Sequence, residues 1–175
     1  MLVTGLSSPA FAQDASKAEV SAGYQWFGGT SAGDWRSFPK GWYVEAAPRV
    51  TNTIRIVGQV SGNYANFEDE AFAMKVHTFM VGLRRSTTGR TGAYGQALIG
   101  AVTLKASDEF ASGTETDLGF QIGGGVSVRG SGPLGFRVGV DYLRVKARDD
   151  GEIFGGDSMN GVRIIAGINI GVGGR

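Results

Sequence analysis

The chain contains no cysteine, which excludes disulfides, thiolate metal sites and cysteine nucleophiles together. Histidine is almost as scarce, His77 being the only one, so histidine-based catalysis has a single candidate. An excess of one charge is also missing. The 17 basic and 16 acidic side chains leave a net charge of +1, which argues against a general nucleic-acid binder. No segment approaches the roughly 18 unbroken apolar residues of a membrane-spanning helix. What the chain has instead is glycine, 30 of its 175 residues. These follow no collagen period and alternate with β-branched and aromatic residues, as they would in a tightly closed sheet where an inward glycine makes room for a large neighbour. The length fits one domain, and no change of composition marks a linker.

The clearest pattern is alternation. Over residues 117–128, Leu118, Phe120, Ile122, Val126 and Val128 share one face, while Asp117, Gln121, Ser127 and several glycines share the other. Similar segments recur at 19–26, 41–47, 53–64, 72–84, 93–104, 136–145 and 161–172, making eight candidate strands. In the segment at 72–84, Met74, Val76 and Met80 are set outward against Lys75 and His77, with Phe79 and Val81 crowding the inner face. The segment at 93–104 is too uniformly apolar to orient by pattern, and Gln96 is turned inward. The expected fold is all-β, an eight-stranded antiparallel up-and-down transmembrane β-barrel. Strands can cross a bilayer without a helical anchor only if they close on themselves.

The connections support that reading. Those at 27–40, 65–71, 106–116 and 146–160 are long, and those at 48–52, 85–92 and 130–135 are short, an order that fits external loops and periplasmic turns. Charge sorts with length. Asp34, Glu68, Asp69, Glu70, Asp108, Glu109, Glu115, Asp149, Asp150, Glu152 and Asp157 fall in the long set, and Arg49, Arg85 and Arg90 in the short one. At the N-terminus, Leu2, Val3 and Leu6 lead to Pro9 and then Ala10-Phe11-Ala12, an A-x-A cleavage pattern. Residues 1–12 read as the remnant of a secretory signal peptide and 13–175 as the barrel domain, with a plain N-terminal tail as the alternative.

Val76-His77-Thr78-Phe79-Met80-Val81-Gly82, Gly95-Gln96-Ala97-Leu98-Ile99-Gly100, Asp141-Tyr142-Leu143 and the closing stretch 160–170 resemble the bacterial outer-membrane β-barrel family of small OmpA-like and opacity-type proteins. The resemblance covers nearly everything after the signal remnant and rests on strand patterns, which specify fold better than activity. It implies residence in the bacterial outer membrane, contact with outer-membrane lipids, recognition by the outer-membrane insertion machinery, and a monomer. One departure stands out: such barrels usually end in an aromatic residue, whereas this chain ends Ile170-Gly171-Val172-Gly173-Gly174-Arg175.

An eight-stranded barrel is just wide enough inside for side chains to fill. Glu45, Arg55, Lys75, Asp117, Arg137, Asp141 and Arg163 fall on faces expected to point inward, where mixed charges should pair as a structural polar network. Leu118, Phe120, Ile122, Ile164 and Ile168 are the expected lipid contacts. Tyr24, Trp26, Trp42, Tyr64 and Tyr142 lie near strand ends, where they would form parts of interfacial girdles. His77 invites an enzyme reading, but local spacing places no serine beside it, and its neighbour Thr78 points to the opposite face. Asp149-Asp150-Gly151-Glu152 lacks the spacing of an EF-hand loop, and no helix N-terminus follows Gly123-Gly124-Gly125 to make a phosphate cradle. No catalytic residue, cofactor or metal is therefore assigned. The expected function is that of a non-enzymatic integral outer-membrane β-barrel with a structural or surface-interaction role, its acidic loops available to a surface ligand. The alternatives are a lipocalin-like or porin-like barrel with a small ligand or narrow pore and, third, an outer-membrane lipid-modifying enzyme.

Overall fold

The computed structural model describes residues 16–31, 34–67, 72–107, 112–146 and 158–173. The expected signal remnant and most of the acidic loop residues, including Asp149, Asp150 and Glu152, lie outside them. Along the described chain run β1 (Ala18–Ser31), β2 (Asp34–Phe38), β3 (Lys40–Pro48), β4 (Ile54–Phe67), β5 (Phe72–Ser86), β6 (Thr91–Ser107), β7 (Ser112–Arg129), β8 (Leu134–Lys146) and β9 (Met159–Val172). Each pairs antiparallel with its neighbours, and β1 returns to β9 in a ladder from Ala18↔Val172 to Thr30↔Asn160. The sheet is therefore closed. Both β2 and β3 pair with β1, and the break between them falls at Pro39, which has no N–H to give to a ladder. The two pieces form one stave, and the barrel has eight.

The strands follow from their own alternation. In β8, Gly135, Arg137, Gly139, Asp141, Leu143 and Val145 are buried, while Leu134, Phe136, Val138, Val140, Tyr142, Arg144 and Lys146 are exposed. Over 134–142 this inverts a soluble barrel, with the large apolar side chains outside and the charges inside, while at the loop end Leu143 and Val145 turn inward and Arg144 and Lys146 outward. Leu118, Phe120, Ile122, Ile164 and Ile168 all lie on that outer wall, each more than two-fifths exposed, Leu118 at 58% and Ile168 at 45%. Gln96 is buried, so β6 has the orientation expected for it.

Two expectations are corrected. The long connections expected at 27–40 and 106–116 are largely strand, because β1 continues to Ser31 and β2 pairs back on it through Phe27↔Phe38, while β6 runs to Ser107 and β7 starts at Ser112. The orientation of β5 is the reverse of the one read from Lys75 and His77. Val76, Thr78, Met80 and Arg84 are buried, while Lys75, Phe79, Val81 and Leu83 are exposed, and His77 shares the outer face. Three large apolar side chains and a buried arginine outweigh one lysine in setting the parity of a strand, because a one-residue slip moves every side chain to the opposite face.

Glycine relieves close approaches in the interior. A Cβ on Gly139 would meet the Tyr94 hydroxyl at 2.2 Å, and one on Gly161 would meet the Phe27 ring at 2.3 Å. Large inward side chains from other staves thus sit over bare backbone. The described turns at 49–53, 87–90 and 130–133 are short. Gly89 closes the β5–β6 turn with φ of 130°, a conformation L side chains rarely adopt. Replacing Gly139 with leucine should destabilise the folded barrel by about 1–3 kcal/mol through overpacking against Tyr94. The measurement is the urea midpoint of the compact, unheated gel band, which should fall.

Candidate functional site

The polar interior is the strongest chemical feature of the molecule. Among the described residues, four arginines (Arg55, Arg84, Arg137, Arg163) and four carboxylates (Glu19, Glu45, Asp117, Asp141) are buried, so the formal charges balance. Glu45 on β3 is the hub. Arg84 Nη1 and Nη2 donate to its two carboxylate oxygens at 2.5 Å each, and Arg137 Nη1 donates to Oε1 at 2.7 Å. Arg137 Nη2 in turn pairs with Glu19 on β1. The planar guanidinium fork of Arg84 suits this bidentate contact, which lysine would not reproduce. Tyr94 lies beside both cations, its ring centroid 4.9 Å from the Arg84 guanidinium carbon and 5.0 Å from that of Arg137. Such contacts are worth about 2 kcal/mol or more when desolvated.

From this hub the hydrogen bonds run across the barrel. Arg84 Nε donates to Gln96 Oε1 at 3.0 Å, and Gln96 Nε2 donates to Asp141 Oδ1 at 3.0 Å. Gln121 Nε2 donates to Asp141 Oδ2 at 2.9 Å and accepts from Arg163 Nη1 at 2.8 Å. Arg163 Nη2 reaches Gln25 Oε1 at 2.5 Å and Gln59 Oε1 at 2.9 Å. Gln25 Nε2 donates onward to Asn63, and Ser61 bonds Thr78 at 2.7 Å. The connected residues come from β1, β3, β4, β5, β6, β7, β8 and β9, so each stave contributes to one network. At the turn-side mouth a cavity of about 20 Å³, lined by Glu19, Tyr94, Ser127, Arg129 and Arg137 among others, is about the size of one water.

The filling changes character toward the loop end. There Phe27, Phe38, Val76, Val102, Leu104, Val145 and Met159 belong to one buried apolar cluster, with Phe27 and Phe38 ring centroids 5.5 Å apart. The lumen is polar in its turn-side and middle parts and apolar above. At that end of β6 the inward residues are Val102 and Leu104 and the outward ones Thr103 and Lys105, so local polarity there runs opposite to that of the turn-side half.

Of the expected lumen residues, Glu45, Arg137, Asp141 and Arg163 are brought into the network. Asp117 is buried nearer the loop end, and Arg55 is buried near the turns with Nη1 donating to the Ala47 carbonyl at 3.2 Å. Lys75 is not in the lumen: it is exposed on the outer wall, as the corrected parity of β5 requires. Sequence reasoning missed Arg84 for the same reason. It also missed Glu19, although Glu19 shares the parity of Ser21 and Gln25, the polar face of that strand.

His77 stands on the outer wall with Tyr64 and Trp42. Tyr64 Oη lies 3.3 Å from His77 Nε2 and accepts from Trp42 Nε1 at 3.2 Å. The Tyr64 and Trp42 side chains close over Gly62, where a Cβ would meet each within about 3 Å. Tyr24, Trp26 and Tyr142 also have hydrogen-bonded polar tips, to the Pro39 carbonyl, Ser37 and Asn160.

No protein-family model matches the chain, and no curated protein sequence does. Solved structures do. The chain is similar to Neisserial surface protein A at 14% identity over 90% of this chain and 98% of that one, with a TM-score of 0.75. It is similar to Ail, the attachment invasion locus protein of Yersinia pestis, at 16% identity over 89% and 99%, with a TM-score of 0.59. The outer-membrane enzyme PagL aligns at 16% identity over 88% and 99%, with a TM-score of 0.52. The likeness is one of fold: the closed sheet with its apolar outer wall has the fold of small eight-stranded outer-membrane β-barrels. One of the three neighbours is an enzyme, so the fold alone does not separate enzymes from other barrels.

Glu45→Ala should destabilise the barrel by about 3–5 kcal/mol, because Arg84 and Arg137 would keep their buried charges without their shared carboxylate. Removing charge from both sides, as in Glu45→Leu with Arg84→Met, should recover part of that loss. Urea titration of the folded gel band measures both, and a double variant weaker than Glu45→Ala would contradict the pairing.

Proposed function

We propose that this protein is a non-enzymatic, monomeric integral barrel of the bacterial outer membrane, closed to ions, with a structural role in the envelope and external loops that meet surface partners. The observation that carries the reading is the network running from Glu19 through Glu45, Asp141 and Arg163 to Asn63, which occupies the lumen with paired side chains from every stave. An apolar cluster above it adds a layer that hydrated ions cross only at high cost. A porin-like path has neither the width nor the free polar lining it requires.

The enzyme alternative rests on His77 and on the likeness to PagL. His77 lies outside the lumen and bonds a tyrosine that in turn bonds a tryptophan, an arrangement without the serine and orienting acid that acyl chemistry would use. The lipocalin-like alternative needs a polar outer surface, whereas the wall here presents Phe79, Val81, Leu83, Phe120 and Phe136. The acidic composition of the long connections favours cationic surface partners, and residues 1–12 serve export in this reading.

Purified protein inserted in a planar bilayer should give no steady large current, and Arg84→Ala with Arg137→Ala and Arg163→Ala should raise conductance. A large steady current from the unaltered protein would overturn the closed-lumen reading. Fractionation should release the chain only with detergent, with gel migration that differs before and after boiling.

A further inference from the structure

The outer wall is not uniformly apolar, and the sheet register shows where it changes. Across β5, β6 and β7, the outward rows Leu83–Ala97–Ile122, Val81–Ile99–Phe120 and Phe79–Ala101–Leu118 are apolar throughout. One row nearer the loops, His77–Thr103–Thr116 is polar throughout, with Thr103 and Thr116 hydroxyls 3.0 Å apart. The next row is Lys75–Lys105–Thr114, and it continues backward through Tyr64 to Lys40. Successive rows are separated by two residues, about 7 Å along the strand, so the wall passes from hydrocarbon-like to cationic within about 14 Å.

This transition lies at a membrane edge. On β5 the outward side chains run from Lys75 to Arg85, ten residues apart. That is about 34 Å of strand, or about 26 Å of membrane height at a tilt of about 40°, close to the apolar band of about 25 Å found around such barrels. Arg85 marks the turn-side edge and the lysine row the loop-side edge.

Lys75 and Lys105 are direct cross-strand partners, both exposed. Like charges directly opposite one another repel. Among the described residues no carboxylate forms an ion pair with either, the described salt bridges all being inside the lumen. Beside them is a built platform rather than loose side chains: Tyr64, held by Trp42 and His77 over Gly62, with the Thr103–Thr116 pair on the other side. Two ammonium groups at headgroup depth, flanked by hydroxyls, an indole and an imidazole, fit a phosphate carried on a lipid whose acyl chains lie down the Phe79–Ala101–Leu118 rows. We infer that the outer wall over β5–β7 is a binding site for a lipid of net anionic phosphate headgroup in the loop-side leaflet, held chiefly by Lys75 and Lys105. The inference rests on the membrane-barrel reading and adds a ligand class to it.

The test is native mass spectrometry of the detergent-folded protein titrated with a diphosphorylated glycolipid, with phosphatidylcholine, and with inorganic phosphate. The phosphorylated glycolipid should stay bound, and Lys75→Gln with Lys105→Gln should weaken its retention roughly ten- to thirty-fold, whereas Lys75→Arg with Lys105→Arg and the turn-side Arg85→Gln should keep it. Equal retention by the double glutamine variant overturns the site. So does equal retention of phosphatidylcholine, and full displacement by inorganic phosphate would make it a free-anion site instead. Heat-dependent gel migration, run on each variant, separates these outcomes from failure of the barrel itself: a parent protein without it would count against the membrane barrel, while a folded variant that keeps the lipid counts only against the site.

Discussion

Every backbone N–H and C=O that enters hydrocarbon must find its partner within the protein, and the ladder between β1 and β9 is what makes this possible. Without it the two terminal staves would expose unpaired edges at membrane depth. Closure then dictates the rest. A wall with lipid outside and a narrow bore inside must turn its apolar side chains outward, and its polar ones have nowhere to go but inward. The bore of eight staves leaves little room, so large inward residues are matched to glycine across it: Phe27 to Gly161 on the adjoining stave and Tyr94 to Gly139 two staves away. Pro39 is tolerated because it sits at the junction of β2 and β3, where the ladder with β1 is already interrupted.

Burying four arginines and four carboxylates is costly unless they meet in good geometry, and the network shows how this is done. Glu45 serves two arginines, glutamines relay between Arg84, Asp141 and Arg163, and one aromatic ring attracts both cations. The same contacts cross-brace the barrel, since removing one charge strands its partners. The apolar cluster plays a different part, filling the bore at the loop end around buried Asp117. Polar and apolar layers together leave the chemistry of interest on the outer wall, where the lysine row and the Trp42–Tyr64–His77 cluster stand at the edge of the apolar band.

Most of the architecture was legible along the chain. Regular alternation in β7, β8 and β9 located both faces correctly. The expected order of long and short connections is not kept, because β4 runs to Phe67 and β5 starts at Phe72, and β6 runs to Ser107 and β7 starts at Ser112, which leaves intervals no longer than those at 87–90 and 130–133. Alternation failed where both faces carry apolar residues. In β5, Lys75 and His77 were the visible polar positions, yet they belong to the membrane edge, and Arg84 of opposite parity is the lumen residue. Period two tells which residues share a face but not which face is the inner one, and near a membrane boundary polar residues occur on both. The strand content of 27–40 was hidden for a related reason: glycines and a proline there resemble a loop until β2 is seen paired with β1.

The sequence by itself determined the class of fold, the absence of thiol chemistry, the polarity reversal between wall and lumen, and most of the residues that carry buried charge, because each depends on local composition and a period of two. Tertiary structure alone decided which charges meet. Glu45 and Arg137 are 92 residues apart and Arg163 and Gln25 are 138 apart, so only closure and register bring them together. It also decided that Lys75 stands opposite Lys105 on the outer wall, since side-chain neighbours in a barrel are fixed by the stagger of strands around a closed sheet and not by distance along the chain.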